Sequence, residues 1–283
     1  MKFGVREITD VVFKATSADQ KLGSATYGQY DPILFFDSAK TATLESTVAT
    51  VYAQGGRGNP RLLAWDGDKV VTFTFEDALM SRASFAALAG SGLVNGQTLQ
   101  IHLTEKATAV VAGNSATITI NNINGNLTNT SSTFVKILNL DSQGDIISIV
   151  PSSVSLLVTK ANTTVSSVTI TASTSTSISS SVIVDFYVGQ TGTRNTIDAG
   201  SFAGYYYIEA NTLFRGTDGK DYPAQFTIPK GKVQSNFTFT MAPTGDPSTF
   251  TFTIDALPAP TRFDSTKDVL FTLEVSDSST DII

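Results

Sequence analysis

A chain of 283 residues, 41 % of them hydrophobic, is long enough to bury one large core or two ordinary ones. Its charged fraction is only 16 % and its net charge is −6, which argues against a protein that grips nucleic acid, since that needs clustered Lys and Arg. With no cysteine and one histidine, disulfides, thiol catalysis, cysteine-ligated zinc and multi-histidine metal sites are all excluded.

The first thirty residues alternate weakly and end in SADQKLGSATYGQYD, so 1–29 are expected to form an N-terminal arm or a peripheral strand. The beginning lacks the apolar core of a secretory leader, and no apolar run is long enough to span a membrane. ILFF (33–36) predicts a short buried strand. In TATLESTVATVY (41–52), Ala42, Leu44, Val48 and Tyr52 alternate with Thr41, Thr43, Glu45 and Thr47, a half-buried strand by its period of two.

A glycine loop, GGRGNP (55–60), follows. RLLAW (61–65) and KVVTFTF (69–75) then predict a hairpin turning at Asp66-Gly67-Asp68, because Asp-Gly suits the positive φ of tight turns. Ser81 is placed to cap one short helix, about 81–90, with Phe85, Leu88 and Ala89 as its apolar stripe and Gly90 as its end.

Residues 104–200 change texture to Ser, Thr, Asn, Val and Ile with few charges. ATITI, TFVKIL, DIISIV, SVSLLV, SVTITA and SVIVDFYV read there as short strands, the spelling of a sandwich or barrel. In the last third, GYYYIEANTLFR and KDYPAQFTIPKG flank a GTDG turn, and NFTFTMA (236–242) and STFTFTIDA (248–256) flank PTGDP. VTFTFED, NFTFTMA and STFTFTI repeat one pattern, with Phe on one strand face and Thr on the other. The aromatic face belongs in a core, while the Thr face suits water, an interface or a channel lining.

Residues suited to catalysis are few. A Ser-His-Asp triad would have to run through His102, which alternation places on a strand face with Gln100 and Thr104. Glu76 and Asp77 adjoin in sequence but should diverge at a strand-to-helix junction, and Asp66 and Asp68 lack the further acids of a calcium loop. GGRGNP lacks the Gly-Lys-Ser/Thr of a phosphate loop and precedes a strand. No catalytic residue, cofactor or metal is therefore expected.

The order PILFFDSAKTATLE, YAQGGRGNPRLLAWDGDKVVTFTFEDALMS, a short helix, then YYYIEANTLFR, YPAQFTIPK and NFTFTMAPTGDPSTFTFTIDA resembles bacteriophage major tail tube proteins, in particular those of large contractile-tailed phages of Gram-positive hosts. The resemblance covers roughly 30–103 and 200–260. It implies one mainly β domain, an antiparallel β-sandwich or β-barrel with one flanking helix; 104–200 departs from the family pattern and is expected as an inserted or exterior lobe. It also implies stacked, hexameric rings through which DNA passes unspecifically, built in the host bacterial cytoplasm and carried in the virion. Tail sheath, terminator and baseplate proteins would be its other partners, with no enzymatic activity and no membrane. By the same resemblance, Gln54, Gly55, Gly56, Arg57 and Asn59 would contact a neighbouring subunit. The hairpin 61–75 and strands 236–255 would line the lumen through Thr72, Thr74, Thr238, Thr240, Thr251 and Thr253. The competing reading is a β-sandwich adhesin or carbohydrate-binding module using Tyr205–Tyr207 as an aromatic platform; a hydrolase relying on Asp77 or His102 comes third.

Overall fold

The computed structural model describes residues 2–113, 115–121, 135–150, 155–160, 167–173, 178–238 and 249–277. The protein is mainly β with antiparallel sheets, one helix among the described residues and no closed barrel. The chain divides into two units, one from 1–94 and 195–283, the other from 95–194.

In the first unit, β1 (Phe3–Lys14), β2 (Gln20–Leu22), β3 (Ala25–Tyr27), β4 (Pro32–Phe36), β5 (Ala39–Gln54) and β6 (Arg61–Asp77) lead to helix α1 (Arg82–Ala89) and the start of β7 (Gly92–Ala112). The second unit adds β8 (Ser115–Asn121), β9 (Lys136–Leu140), β10 (Ile146–Ile149), β11 (Ser155–Lys160), β12 (Ser167–Ser173) and β13 (Ser181–Thr196). The chain then returns through β14 (Tyr205–Gly216), β15 (Asp221–Val233), β16 (Phe250–Ala256), β17 (Ala259–Pro260), β18 (Asp268–Val269) and β19 (Thr272–Val275).

The main sheet of the first unit runs β4-β1-β14-β15-β16-β6-β5, with β19 pairing β15 off this path. Its two outermost strands, β4 and β5, are consecutive in the chain and separated only by Asp37 and Ser38. A two-residue link cannot span a flat sheet seven strands wide at nearly 5 Å per strand, so the sheet must curl until its edges approach. The curl explains the core: Phe36 of β4 packs against Phe75 of β6 at 5.1 Å and Phe252 of β16 at 4.9 Å between ring centroids. Phe13, Val11, Leu34, Val71, Phe73, Ile208 and Ile254 belong to the same cluster. Each large side chain so buried contributes about 1.5–3 kcal/mol.

Residues 3–14, expected within an arm or peripheral strand, form β1 inside this sheet, paired to β14 and to β4, with Val11 and Phe13 fully buried. The weak alternation of the N-terminal thirty residues concealed a strand that reaches the core through Val11 and Phe13.

The hairpin is also placed differently from the sequence reading. β6 runs unbroken through Asp66-Gly67-Asp68, and the turn is GGRGNP itself. Its backbone closes with the Gly55 amide donating to the Pro60 carbonyl at 3.3 Å and the Asn59 amide to Gly56 at 3.1 Å. Gly56, Gly58 and Asn59 all have positive φ. Asp-Gly instead marks a bulge: Val48 opposes Lys69 and Thr50 opposes Asp66, so Gly67 and Asp68 together face Ala49. Gly67 has no positive φ; its value lies in closeness, since a Cβ there would stand 3.2 Å from the Ala49 carbonyl oxygen. β5 is not half-buried, because both strands of this hairpin are exposed from Glu45 through Val70, apart from the partly covered Ala53 and Gly55.

Helix α1 follows its sequence signals. The Ser81 hydroxyl accepts from the Ser84 amide at 2.9 Å and the Ser84 hydroxyl accepts from the Ser81 amide at 2.9 Å, a reciprocal cap. Gly90 ends the helix at φ +63°. The stripe is shifted: Ala86, Ala87, Leu88 and Ala89 are buried, and Phe85, half-buried, packs edge-on against Phe237.

The sheet of the second unit runs β10-β9-β13-β7-β8-β12-β11. Ile118 pairs across with both Ala109 and Ile170, and Val184 with Ile137, around a core that includes Val182 and Phe186. The strands read from ATITI, TFVKIL, DIISIV, SVSLLV and SVTITA appear here within a few residues of their expected bounds, and SVIVDFYV opens β13, which runs on eight residues past Val188 to Thr196.

Candidate functional site

Two of the three Phe/Thr strands lie side by side. β16 pairs β6 so that Phe252 meets Phe75, Thr253 meets Thr74 and Ile254 meets Phe73. β5 extends the rows, with Thr43 beside Thr74 and Glu45 beside Thr72. Since partners in register share a face, one side of this three-strand region is the aromatic core. The other carries Thr41, Thr43, Thr72, Thr74, Thr251 and Thr253 with Glu45, Glu76 and Asp255.

Asp255 is fixed on that face by the Gln234 side-chain amide, whose Nε2 donates to Oδ2 at 3.0 Å and to Oδ1 at 3.1 Å. Its cross-strand neighbour Lys232 donates to the Ala203 carbonyl and lies over the Tyr205 ring. Glu76 and Asp77 point to opposite faces. Asp77 is buried and accepts the Ser38 hydroxyl, so it holds the β4–β5 link in place and is not a charge at the start of the helix.

Thr72, Thr74, Thr251 and Thr253 thus share one face. Thr238 stands in a segment outside any strand, and Thr240 lies outside the described residues. NFTFTMA therefore supplies no described strand; its first three residues, 236–238, follow the end of β15 as irregular chain.

Gln54, Gly55, Gly56, Arg57 and Asn59 come together at the tip of the β5–β6 hairpin, where the Asn59 side chain donates to Gln54 Oε1 at 3.1 Å. Behind the tip, Val51, Leu62, Leu63 and Trp65 are each more than half exposed. Arg61 lies over the Tyr52 ring at 4.1 Å. A strand with one wet face should expose apolar side chains on neither side, yet Leu62 and Leu63 are neighbours and face opposite ways. Sequence reasoning missed these residues, although the paired apolar letters LL at 62–63, which break the alternation, were the signal. The outer edge of β5 has no strand partner among the described residues.

No catalytic grouping forms around the remaining candidates. His102 of β7 pairs with Asp185 of β13, and Thr104 Oγ1 donates to Asp185 at 3.3 Å, all on an exposed strand surface. Tyr205, Tyr206 and Tyr207 do not make a platform: the alternation of β14 sends them to opposite faces, and Tyr206 and Tyr207 are buried. Among the described residues no cluster of three or more His, Cys, Asp or Glu could hold a metal ion.

The first unit thus combines an edge strand without a strand partner among the described residues, an apolar hairpin and a polar sheet face. The chain belongs to the YomU/Tube protein family, whose model matches residues 25–271, which makes it a phage tube-like protein. No curated protein matches it.

Proposed function

We propose that this protein is a non-enzymatic subunit of a phage tail tube, forming stacked hexameric rings through which the genome passes. The observation that carries the reading is the β5–β6 hairpin. It exposes apolar side chains on both faces and an edge without a strand partner among the described residues, surfaces that a lone soluble chain has every reason to cover. A neighbouring copy supplies the cover, and contacts of this head-to-tail kind close into rings. The Thr and carboxylate face suits the lumen. Hydroxyls and acids dominate this face, and Lys232 beside Asp255 is engaged by the Ala203 carbonyl and the Tyr205 ring, so phosphates find little to hold and DNA slides past. The same reading assigns the tip residues Gln54, Gly55, Gly56, Arg57 and Asn59 to contact with a neighbour. It assigns Thr72, Thr74, Thr251 and Thr253 to the lumen wall, and sheath, terminator and baseplate proteins to the outside and ends of the tube in the virion.

Negative-stain microscopy of the purified protein tests this. Rings or tubes of even bore are expected at high concentration or on addition of a tail-initiating complex. Dispersed monomers under both conditions would overturn the reading.

A further inference from the structure

On the outer face of the first unit, register aligns four polar residues across four strands. Asp10 of β1 opposes Asn211 of β14, Asn211 opposes Gln225 of β15, and Gln225 opposes Glu274 of β19. The row forms part of the lining of an open cleft of about 810 Å³, which Leu213 and Pro223, paired in the next row but one, flank with apolar surface. Two carboxylates thus stand at the ends of the row, about 14 Å apart at nearly 5 Å per strand. Asp10 Oδ1 is buried there without a hydrogen-bond partner among the described residues. A carboxylate oxygen shielded from water and left unpaired is costly, and a cationic donor relieves the cost. The bulge between Ile8 and Asp10 breaks the β1–β14 ladder beside this position.

We propose that this cleft receives the β5–β6 hairpin tip of a second copy of the chain. The tip is complementary in both charge and apolar character. Arg57 is exposed at its apex and Arg61 at its base, two guanidinium groups for two carboxylates, with Leu63, on the same strand face as Arg61, behind them to cover Leu213 and Pro223. Arg57 makes no ion pair within its own chain among the described residues, and its fork of N–H donors fits a carboxylate in two-point contact. The exposed hairpin from Glu45 to Gln54 is about 30 Å long at ~3.3 Å per residue, enough to reach a neighbour. The cleft and the tip are different surfaces, so the contact is head-to-tail. This proposal rests on the tube reading and names the surface that the hairpin seeks.

Complementary charge changes test it on the full chain. A tip variant, R57E with R61E, alters only exposed side chains. A cleft variant, D10N with E274K, changes one residue isosterically and one on an exposed strand, and thermal melting confirms that both fold. By sedimentation velocity, each variant alone is expected to need at least tenfold more protein to associate than the unaltered chain. An equimolar mixture should return to within about threefold of it, because each wrong surface then meets its complement. A mixture no better than its components, or either variant associating normally, would overturn the cleft while leaving the tube reading standing. An unaltered chain that never associates would overturn both.

Discussion

Phe75 and Phe252 stack across β6 and β16, ring centroids 5.0 Å apart and planes within 6° of parallel. Both are fully buried, and the pair joins parts of the chain that are far apart in sequence. Phe252→Ala should cost about 3–5 kcal/mol of stability through the lost burial and the cavity left behind. Thr253→Val, one residue along and on the polar face, should change stability by less than about 1 kcal/mol. Urea titrations of the two variants check the contrast, which disappears if that face is packed like a core.

Gly90 is required twice. Its φ of +63° belongs to the left-handed region, and a Cβ there would stand 2.1 Å from the Phe202 carbonyl carbon, with backbone and not a side chain in the way. Gly90→Ala should destabilise by more than about 2 kcal/mol, the left-handed strain and the clash adding together. A melting temperature within two or three degrees of the parent, about 1 kcal/mol or less, would show that the helix end can move aside.

Burial pushes the Tyr206 hydroxyl up from 10 to about 12, with Tyr27 adding to the shift. A group whose folded pKa is raised contributes stability that is complete below its unfolded value. That contribution is lost as the pH rises from about 10 through about 12. Between those values the unaltered chain should lose stability more steeply than Tyr206→Phe, as measured by denaturant unfolding at stepped pH. Parallel slopes would mean that the tyrosine ionises without unfolding.

The Tyr222 hydroxyl donates to Asp218 Oδ2 at 2.6 Å and holds that carboxyl below the usual aspartate range, helped by the Lys220 amide. The bond fastens the GTDG turn, where the Gly219 amide donates to the Gly216 carbonyl. A lowered carboxyl contributes above its unfolded pKa and stops contributing as the pH falls through the folded one. Tyr222→Phe should therefore raise the Asp218 titration midpoint, read from its carboxyl carbon by NMR. An unmoved midpoint would assign the shift to the backbone amide.

Trp65, the chain's only tryptophan, stands 55 % exposed on the hairpin. Dilute protein should emit as a water-exposed indole does, and the spectrum should move to the blue as concentration drives association. A spectrum constant across the change in sedimentation would remove the hairpin from the interface.

How far the fold could be read varied with how local the physics was. Ser81, Ser84 and Gly90 announce α1 because capping is decided within a few residues. The GTDG turn and the strands of the second unit were legible for the same reason. The Phe/Thr alternation of β6 and β16 gave their two faces correctly, though nothing in either segment says that they pair. Gly67 misled because Asp-Gly serves a turn and a bulge equally well, and only the register against Ala49 distinguishes them. The Asp10–Asn211–Gln225–Glu274 row was invisible, since it exists only once four distant strands lie side by side.

The two-residue link at Asp37-Ser38 has a consequence for how the chain is made. β4 and β5 leave the ribosome together but belong to opposite edges of the sheet, and β16, which starts at Phe250, 173 residues after β6 ends at Asp77, must slot between β15 and β6. Such high contact order makes closure slow and places it at the end of synthesis. Until residues 250–256 arrive, β6 lacks its inner neighbour and Phe75 has no Phe252 to stack on. The polar face that β16 shares with β6 is also incomplete. A truncated chain thus never presents the finished polar face.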